Sequence, residues 1–191
     1  MKPGMFVKSL LLAAFFAGSL PVSATYVSSP CPARLLAYPV LPQDRDDACG
    51  ISCLRSILMG WGRPLESEAS LAAGAGTNPA TGTPPGRLAR VLDGRGFFSL
   101  EQWNTSLFQL QMFLALGESV ILSVFEDRPH YVLLVGLSPN TITVMDRWAT
   151  RSTGRNREMT YPEFLAQWYV TGSDGQPFFM GHAIRVRPSM F

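Results

Sequence analysis

The sequence predicts an α+β domain: a helical first half followed by an antiparallel sheet packed against it. Two observations carry that expectation. Before residue 117 the apolar residues recur at helical spacing, with Gly, Pro and Thr between the segments. After Ser119 the period changes to runs of β-branched and apolar residues, two of them joined by the turn signal Ser138-Pro139-Asn140.

In order, the first helix opens at Cys49, with Asp46 and Asp47 placed to cap it and Ile51, Leu54, Ile57 and Leu58 forming its buried face. Leu65 to Ala73 reads as a second helix, 74–86 as a Gly/Thr/Pro loop, and Arg87 to Asp93 as a short helix stopped by Gly94. Phe97 to Trp103 is a strand, and Ser106 to Leu116 a helix ended by Gly117. Ser119–Phe125, His130–Leu137 and Thr141–Met145 are adjacent antiparallel strands, Tyr161–Tyr169 is a helix, and His182–Val186 a last strand. No internal repeat is present.

At 191 residues and 47% hydrophobic content, the chain suits one folded domain. The first 24 residues read as a signal peptide. Lys2 and Lys8 precede the apolar run Ser9–Leu20, and Pro21 and Val22-Ser23-Ala24 supply a break and a small-residue cleavage site after Ala24. An uncleaved anchor is the alternative. Residues 25–42, rich in Ser and Pro, read as an extended lead-in, and 43–191 as the domain proper. The expected location is therefore periplasmic or secreted, with no stable membrane insertion after cleavage.

Both lysines fall in the signal, so the remaining basic residues are arginines that balance the 14 Asp and Glu. A near-neutral domain gives no reason to expect a nucleic-acid partner. Arg147, Arg151, Arg155 and Arg157 read as a solvated loop, beside Asp146, that could meet an acidic substrate group. Of three cysteines at least one stays unpaired or pairs between chains. A Cys31–Cys53 disulfide would leave Cys49 as that thiol; otherwise Cys53, four residues along the helix, points into the core. No metal site or cofactor is expected, because the two histidines are far apart and no zinc spacing or phosphate-binding glycine loop appears.

Cys49 is the focus of the chemistry. In a first helical turn, unpaired N–H groups and the positive end of the helix dipole favour thiolate over thiol. Six residues earlier Gln43 can aim an amide N–H at an oxygen beside that sulfur. By itself the stretch fits a pair of small buried hydrophobes equally well. His130 opens one strand and Asp146 closes the next. If Leu137 faces Thr141 across the turn, Asp146 lies opposite Val132 and diagonal to His130, where a carboxylate would orient the imidazole. His182 is the spare base candidate; with no carboxylate at comparable spacing, it reads as structural.

The pattern Gln43, Cys49-Gly50 opening a helix, then Cys53-Leu54 and Gly60-Trp61-Gly62 resembles the papain-like cysteine peptidases, and among them the double-glycine leader peptidases that process bacteriocins. His130-Tyr131-Val132 to Gly136, Val144-Met145-Asp146, the Gly76-Thr77 to Thr83 loop and Tyr161 to Trp168 extend that resemblance over about Leu41 to Tyr169. It implies a papain-like fold with the nucleophile helix on an antiparallel sheet. Carried over residue by residue, it makes Cys49 the nucleophile, His130 the general base, Asp146 its orienter and Gln43 the oxyanion donor. The sequence departs from the family where Asp146 is followed by Arg147 rather than proline, and in having an export-type N-terminus where the best-known members are fused to transporters. The expected function is an exported cysteine peptidase acting on a peptide or protein substrate, with a bacterial export or surface-assembly system as the expected partner. The alternatives are a peptidoglycan stem-peptide hydrolase and a silent peptide-binding module.

Overall fold

The computed structural model describes residues 36–41, 43–84, 86–146, 156–171 and 177–189. The signal-like segment, Cys31, Arg147, Arg151 and Arg155 lie outside the described residues. The elements are α1 (Cys49–Gly60), α2 (Glu68–Ala75), α3 (Arg87–Asp93), β1 (Phe97–Gln102), α4 (Leu107–Ala115), β2 (Ser119–Phe125), β3 (Pro129–Leu137), β4 (Thr141–Met145), β5 (Arg157–Thr160), α5 (Tyr161–Leu165), β6 (Tyr169–Thr171), β7 (Pro177–Met180) and β8 (Ala183–Pro188). Six strands form an antiparallel sheet in the order β1-β8-β2-β3-β4-β5, and β6 and β7 form a separate ribbon. This is the expected α+β, papain-like layout.

The sheet is covered on both faces, which explains why β2 and β3 read as continuous apolar runs rather than alternating ones. Ile121, Leu133, Val135, Ile184 and Val186 face α1, α2 and α3 in one core. Val120, Leu122, Val132, Leu134 and Ala183 face α4, α5 and Trp168 in the other. The four α1 residues expected in the core are all buried there.

The Gly60-Trp61-Gly62 ending of α1 has a packing reason. A Cβ on Gly60 would stand 2.8 Å from Cδ1 of Tyr38, and Gly62 turns the chain with φ of 71°. Trp61 Nε1 and the Tyr38 hydroxyl both donate to Ser119 Oγ, at 3.0 and 2.7 Å. Leu36 N–H donates to Val135 O at 2.8 Å, so the described end of the lead-in is strapped to the sheet.

Several boundaries differ from the sequence expectation. The second helix starts at Glu68 rather than Leu65, because Ser67 is extended and its hydroxyl caps Ser70 N–H. The helix expected to reach Tyr169 stops at Leu165: Trp168 turns into the core, its Nε1 donating to His182 O at 2.9 Å, and Tyr169 begins a strand paired with Met180. The last strand runs Ala183–Pro188, beginning after His182. The strands β5, β6 and β7 have no counterpart in the sequence reading. In β5 only Met159 is buried, too weak a pattern to register.

The hairpin register carries the most consequence. Leu137 pairs with Ile142 rather than Thr141, but an irregularity between Leu134 and Gly136 shifts the ladder by one, so Leu133 faces Met145. Continued one residue, that register sets Asp146 beside Val132, the expected place reached by a different route.

Candidate active site

Cys49 sits at the start of α1, reached through a tight turn in which Ala48 N–H donates to Arg45 O at 3.1 Å. The expected acidic cap is not made. Ala48 is the cap residue, with no side-chain bond, and Asp47 instead binds Arg45, whose Nε lies 2.9 Å from Asp47 Oδ1. A guanidinium two residues away competes for the carboxylate better than a single N–H does. The first-turn N–H groups of α1 thus lack a side-chain acceptor beside the sulfur. Tyr131 N–H donates to Cys49 Sγ at 3.5 Å, and Gly50 N–H also bonds it. Gly50 itself is closely packed: a Cβ there would stand 3.0 Å from Leu88 and 3.1 Å from the Tyr131 ring.

His130 and Asp146 complete the constellation. His130 Nε2 lies 2.9 Å from Asp146 Oδ1, which leaves Nδ1 to face the Cys49 sulfur, and the two side chains interact. Cys49 is 9% exposed, and the side chains of His130 and Asp146 are 12% and 3% exposed, so the acid–base pair is screened from water yet reachable at the sulfur. Burial pushes the Cys49 thiol up, but the His130 hydrogen bond and charge, with the Tyr131 and Gly50 N–H groups, outweigh it and hold the thiol below its ordinary value. For His130, burial opposes the imidazolium, whereas the hydrogen bonds to Asp146 and Cys49 prevail and raise it to about 10. The arrangement favours a thiolate–imidazolium pair at neutral pH.

Asp146 is itself held. Arg157 Nη1 lies 3.6 Å from Asp146 Oδ2, and the same guanidinium binds Glu126 and donates to Gln167 Oε1 at 3.1 Å. Arg157, expected in a solvated loop, is therefore an internal prop of the carboxylate.

Gln43 stands at the turn before Cys49. One Nε2 N–H donates to Arg45 O at 2.6 Å, which fixes the side chain and leaves the second N–H of the amide. The loop is pinned by Glu68, whose Oε2 accepts Asp44 N–H at 3.0 Å and lies 3.8 Å from Arg55 Nη1 of α1. Glu68 and Arg55 gave no sign of this in the sequence, being 13 residues apart on different helices.

His182 departs from expectation. It does have a carboxylate: Nε2 lies 2.8 Å from Glu101 Oε1, and Nδ1 lies 2.7 Å from Ser123 Oγ. The pairing spans 81 residues and is made by the β1–β8 neighbourhood, so linear spacing could not reveal it. Cys53 is buried, with Sγ 3.8 Å from Tyr131 O.

A buried thiol–imidazole–carboxylate set at a helix N-terminus, on a helix packed against an antiparallel sheet, defines a papain-like cysteine peptidase. The Peptidase C39 family matches residues 37–171, most of the chain, and the chain belongs to that family. Similar solved structures include the peptidase domain of Streptococcus ComA, a bifunctional ABC transporter involved in quorum sensing. It has a TM-score of 0.61 at 19% identity, covering 80% of this chain and 100% of that one. A double-glycine motif protease from an AMS/PCAT transporter, solved with its leader peptide, has a TM-score of 0.59 at 14% identity, covering 84% of this chain and 98% of that one. A C39-like peptidase from Bacillus anthracis has a TM-score of 0.58 at 13% identity, covering 82% and 99%. Among curated proteins no sequence matches.

Proposed function

We propose that this cysteine peptidase acts outside the cytoplasm and cuts peptide bonds with Cys49, His130, Asp146 and Gln43. The observation that supports the reading best is the chain of contacts from Asp146 Oδ1 through His130 to the Cys49 sulfur at the uncapped start of α1.

The Cys49 thiolate attacks the substrate carbonyl carbon, forming an S–C bond and moving the carbonyl electron pair onto oxygen. That oxyanion is met by the Cys49 N–H and the second N–H of Gln43. As the tetrahedral species collapses, the C–N bond breaks and His130 Nδ1–H protonates the leaving amine. His130, now neutral, takes a proton from water, whose oxygen attacks the thioester and releases the acid and the thiolate. Asp146 keeps the imidazole turned and stabilises its charged form without taking the proton.

The substrate is a peptide with Gly-Gly before the scissile bond, a choice drawn from the similar domain named as a double-glycine motif protease. The location rests on residues 1–24, with their two lysines, apolar run and Val-Ser-Ala ending. The test is hydrolysis of a Gly-Gly reporter peptide by the chain exported from a bacterial host. Cleavage that Cys49→Ala abolishes, by a product beginning at Thr25, is expected; undiminished cleavage by Cys49→Ala removes the assignment.

A further inference from the structure

Among the described residues with no part in the proposed mechanism, one buried titratable group is held by partners on both ring nitrogens: His182, 0% exposed. Its neighbours form a polar rung across four strands, on the sheet face beneath α1. Glu101 comes from β1, His182 immediately precedes β8, Ser123 comes from β2, and Tyr131, its direct cross-strand partner, from β3. Along the rung Glu101 Oε1 lies 2.8 Å from His182 Nε2, His182 Nδ1 lies 2.7 Å from Ser123 Oγ, and the His182 ring stands edge-on to that of Tyr131 with centroids 6.4 Å apart.

A hydroxyl, an imidazole and a carboxylate in that order resemble a hydrolytic triad, but Ser123 is buried in the sheet as the direct cross-strand partner of Tyr131. The rung meets the Cys49 site at Tyr131, whose N–H bonds the sulfur, and so acts through that residue.

Both ends of the rung reach the Gly/Thr loop. The Tyr131 hydroxyl donates to Thr83 O at 3.4 Å, and Glu101 Oε2 is 3.0 Å from where a Cβ on Gly86 would stand. The loop is stiffened by the Thr77–Thr83 hydroxyl bond of 2.8 Å and the Asn78–Gly82 bridge, and at Gly82 it comes near Asp47 O, beside Cys49. Tyr131 thus borders the sulfur through its N–H, and its phenol ties that border to the Thr83 backbone. Successive strand residues point to opposite faces, so the Tyr131 side chain lies away from His130. His130 protonates the leaving amine, which leaves the Tyr131 side to the segment that becomes the acyl group.

We infer that Glu101, His182 and Ser123 are positioning residues of the peptidase site, holding Tyr131 and the loop at Thr83 and Gly86 as the wall that receives the acyl segment of the substrate. The inference rests on the Cys49–His130 reading above and predicts that the rung governs peptide recognition but not the reactivity of the sulfur.

The test compares Cys49 alkylation by iodoacetamide with that by benzyloxycarbonyl-Gly-Gly chloromethyl ketone, in the full chain and in Ser123→Ala, Ser123→Thr and His182→Gln. In Ser123→Ala and His182→Gln the peptidyl reagent should slow at least about tenfold while iodoacetamide stays within about twofold, and Ser123→Thr should recover the peptidyl rate. An unchanged ratio of the two rates in a folded variant overturns the inference. So does a parallel fall of both with a lowered melting temperature, which marks a purely structural role. Slow wild-type labelling that His130→Ala leaves unchanged strikes the Cys49–His130 reading itself and takes the inference with it. Rapid wild-type labelling sensitive to His130→Ala, with the ratio unmoved in the rung variants, strikes the inference alone.

Discussion

His130 Nε2 and Asp146 Oδ1 are 2.9 Å apart, and the carboxylate that makes this contact is buried and backed by Arg157 at 3.6 Å. Asp146→Asn keeps a hydrogen-bonding group but loses the charge that supports the imidazolium. It should lower kcat/KM on a cleaved peptide by at least about tenfold, and Asp146→Ala by more. Steady-state kinetics of the two variants checks this order; equal wild-type rates would contradict the role given to Asp146.

The pH dependence follows from the signs of the two shifts. Hydrolysis needs Cys49 deprotonated, so its rate rises through the lowered pKa of the thiol; it needs His130 protonated for the leaving amine, so it falls as pH passes about 10. Alkylation needs only the thiolate and should show the rise without the fall. Parallel pH profiles of peptide cleavage and iodoacetamide labelling make the comparison, and a hydrolysis rate that drops near the ordinary histidine value would be wrong for this pair.

In the proposed mechanism Gln43 serves the oxyanion and not the sulfur. Gln43→Ala should reduce kcat by about 10²- to 10³-fold while Cys49 labelling by iodoacetamide stays near wild type. A loss of labelling of the same size would mean that the residue instead shapes the turn at Arg45.

Two glycines should respond in opposite directions. Gly181 has φ of 65°, and a Cβ there would stand 2.5 Å from Thr105 O and 2.8 Å from Thr105 N, both backbone atoms that cannot yield. Gly181→Ala should destabilise by more than about 2 kcal/mol. Gly74 lies exposed in α2 with open space at its Cβ, and Gly74→Ala should stabilise by roughly 0.5–1 kcal/mol. Denaturant midpoints of the two proteins distinguish these effects.

The buried pair between α1 and α2 should matter more when broken than when neutralised. Glu68→Ala leaves Asp44 N–H without its acceptor and removes the carboxylate facing Arg55, at a cost of roughly 3–5 kcal/mol, whereas Glu68→Gln keeps an acceptor and costs less. Melting temperatures that rank the two the other way would argue against the pinning of the Gln43 loop.

What the sequence disclosed of the site was what local physics determines. The apolar spacing of Ile51, Leu54, Ile57 and Leu58 placed α1, and the order of His130 and Asp146 about one turn signal set them on neighbouring strands. Even there the register came right through an irregularity near Val135 that no turn residue announces. The features that escaped are contests between residues or pairings across the sheet. Asp47 had a choice of partners, helix N–H or Arg45, and the guanidinium won. His182 meets Glu101 only because β8 inserts between β1 and β2, and Arg157 meets Asp146 only because β5 adds to the edge.

The central claim is that Cys49 and His130 form a thiolate–imidazolium pair. The most direct measurement is the pH dependence of Cys49 alkylation by iodoacetamide, mapped by mass spectrometry, in the wild type and in His130→Ala. Rapid labelling extending well below the ordinary thiol pKa of about 8.5, with the midpoint moved upward by His130→Ala, is the predicted result. A wild-type profile like that of an ordinary cysteine, unaltered by the substitution, would contradict it.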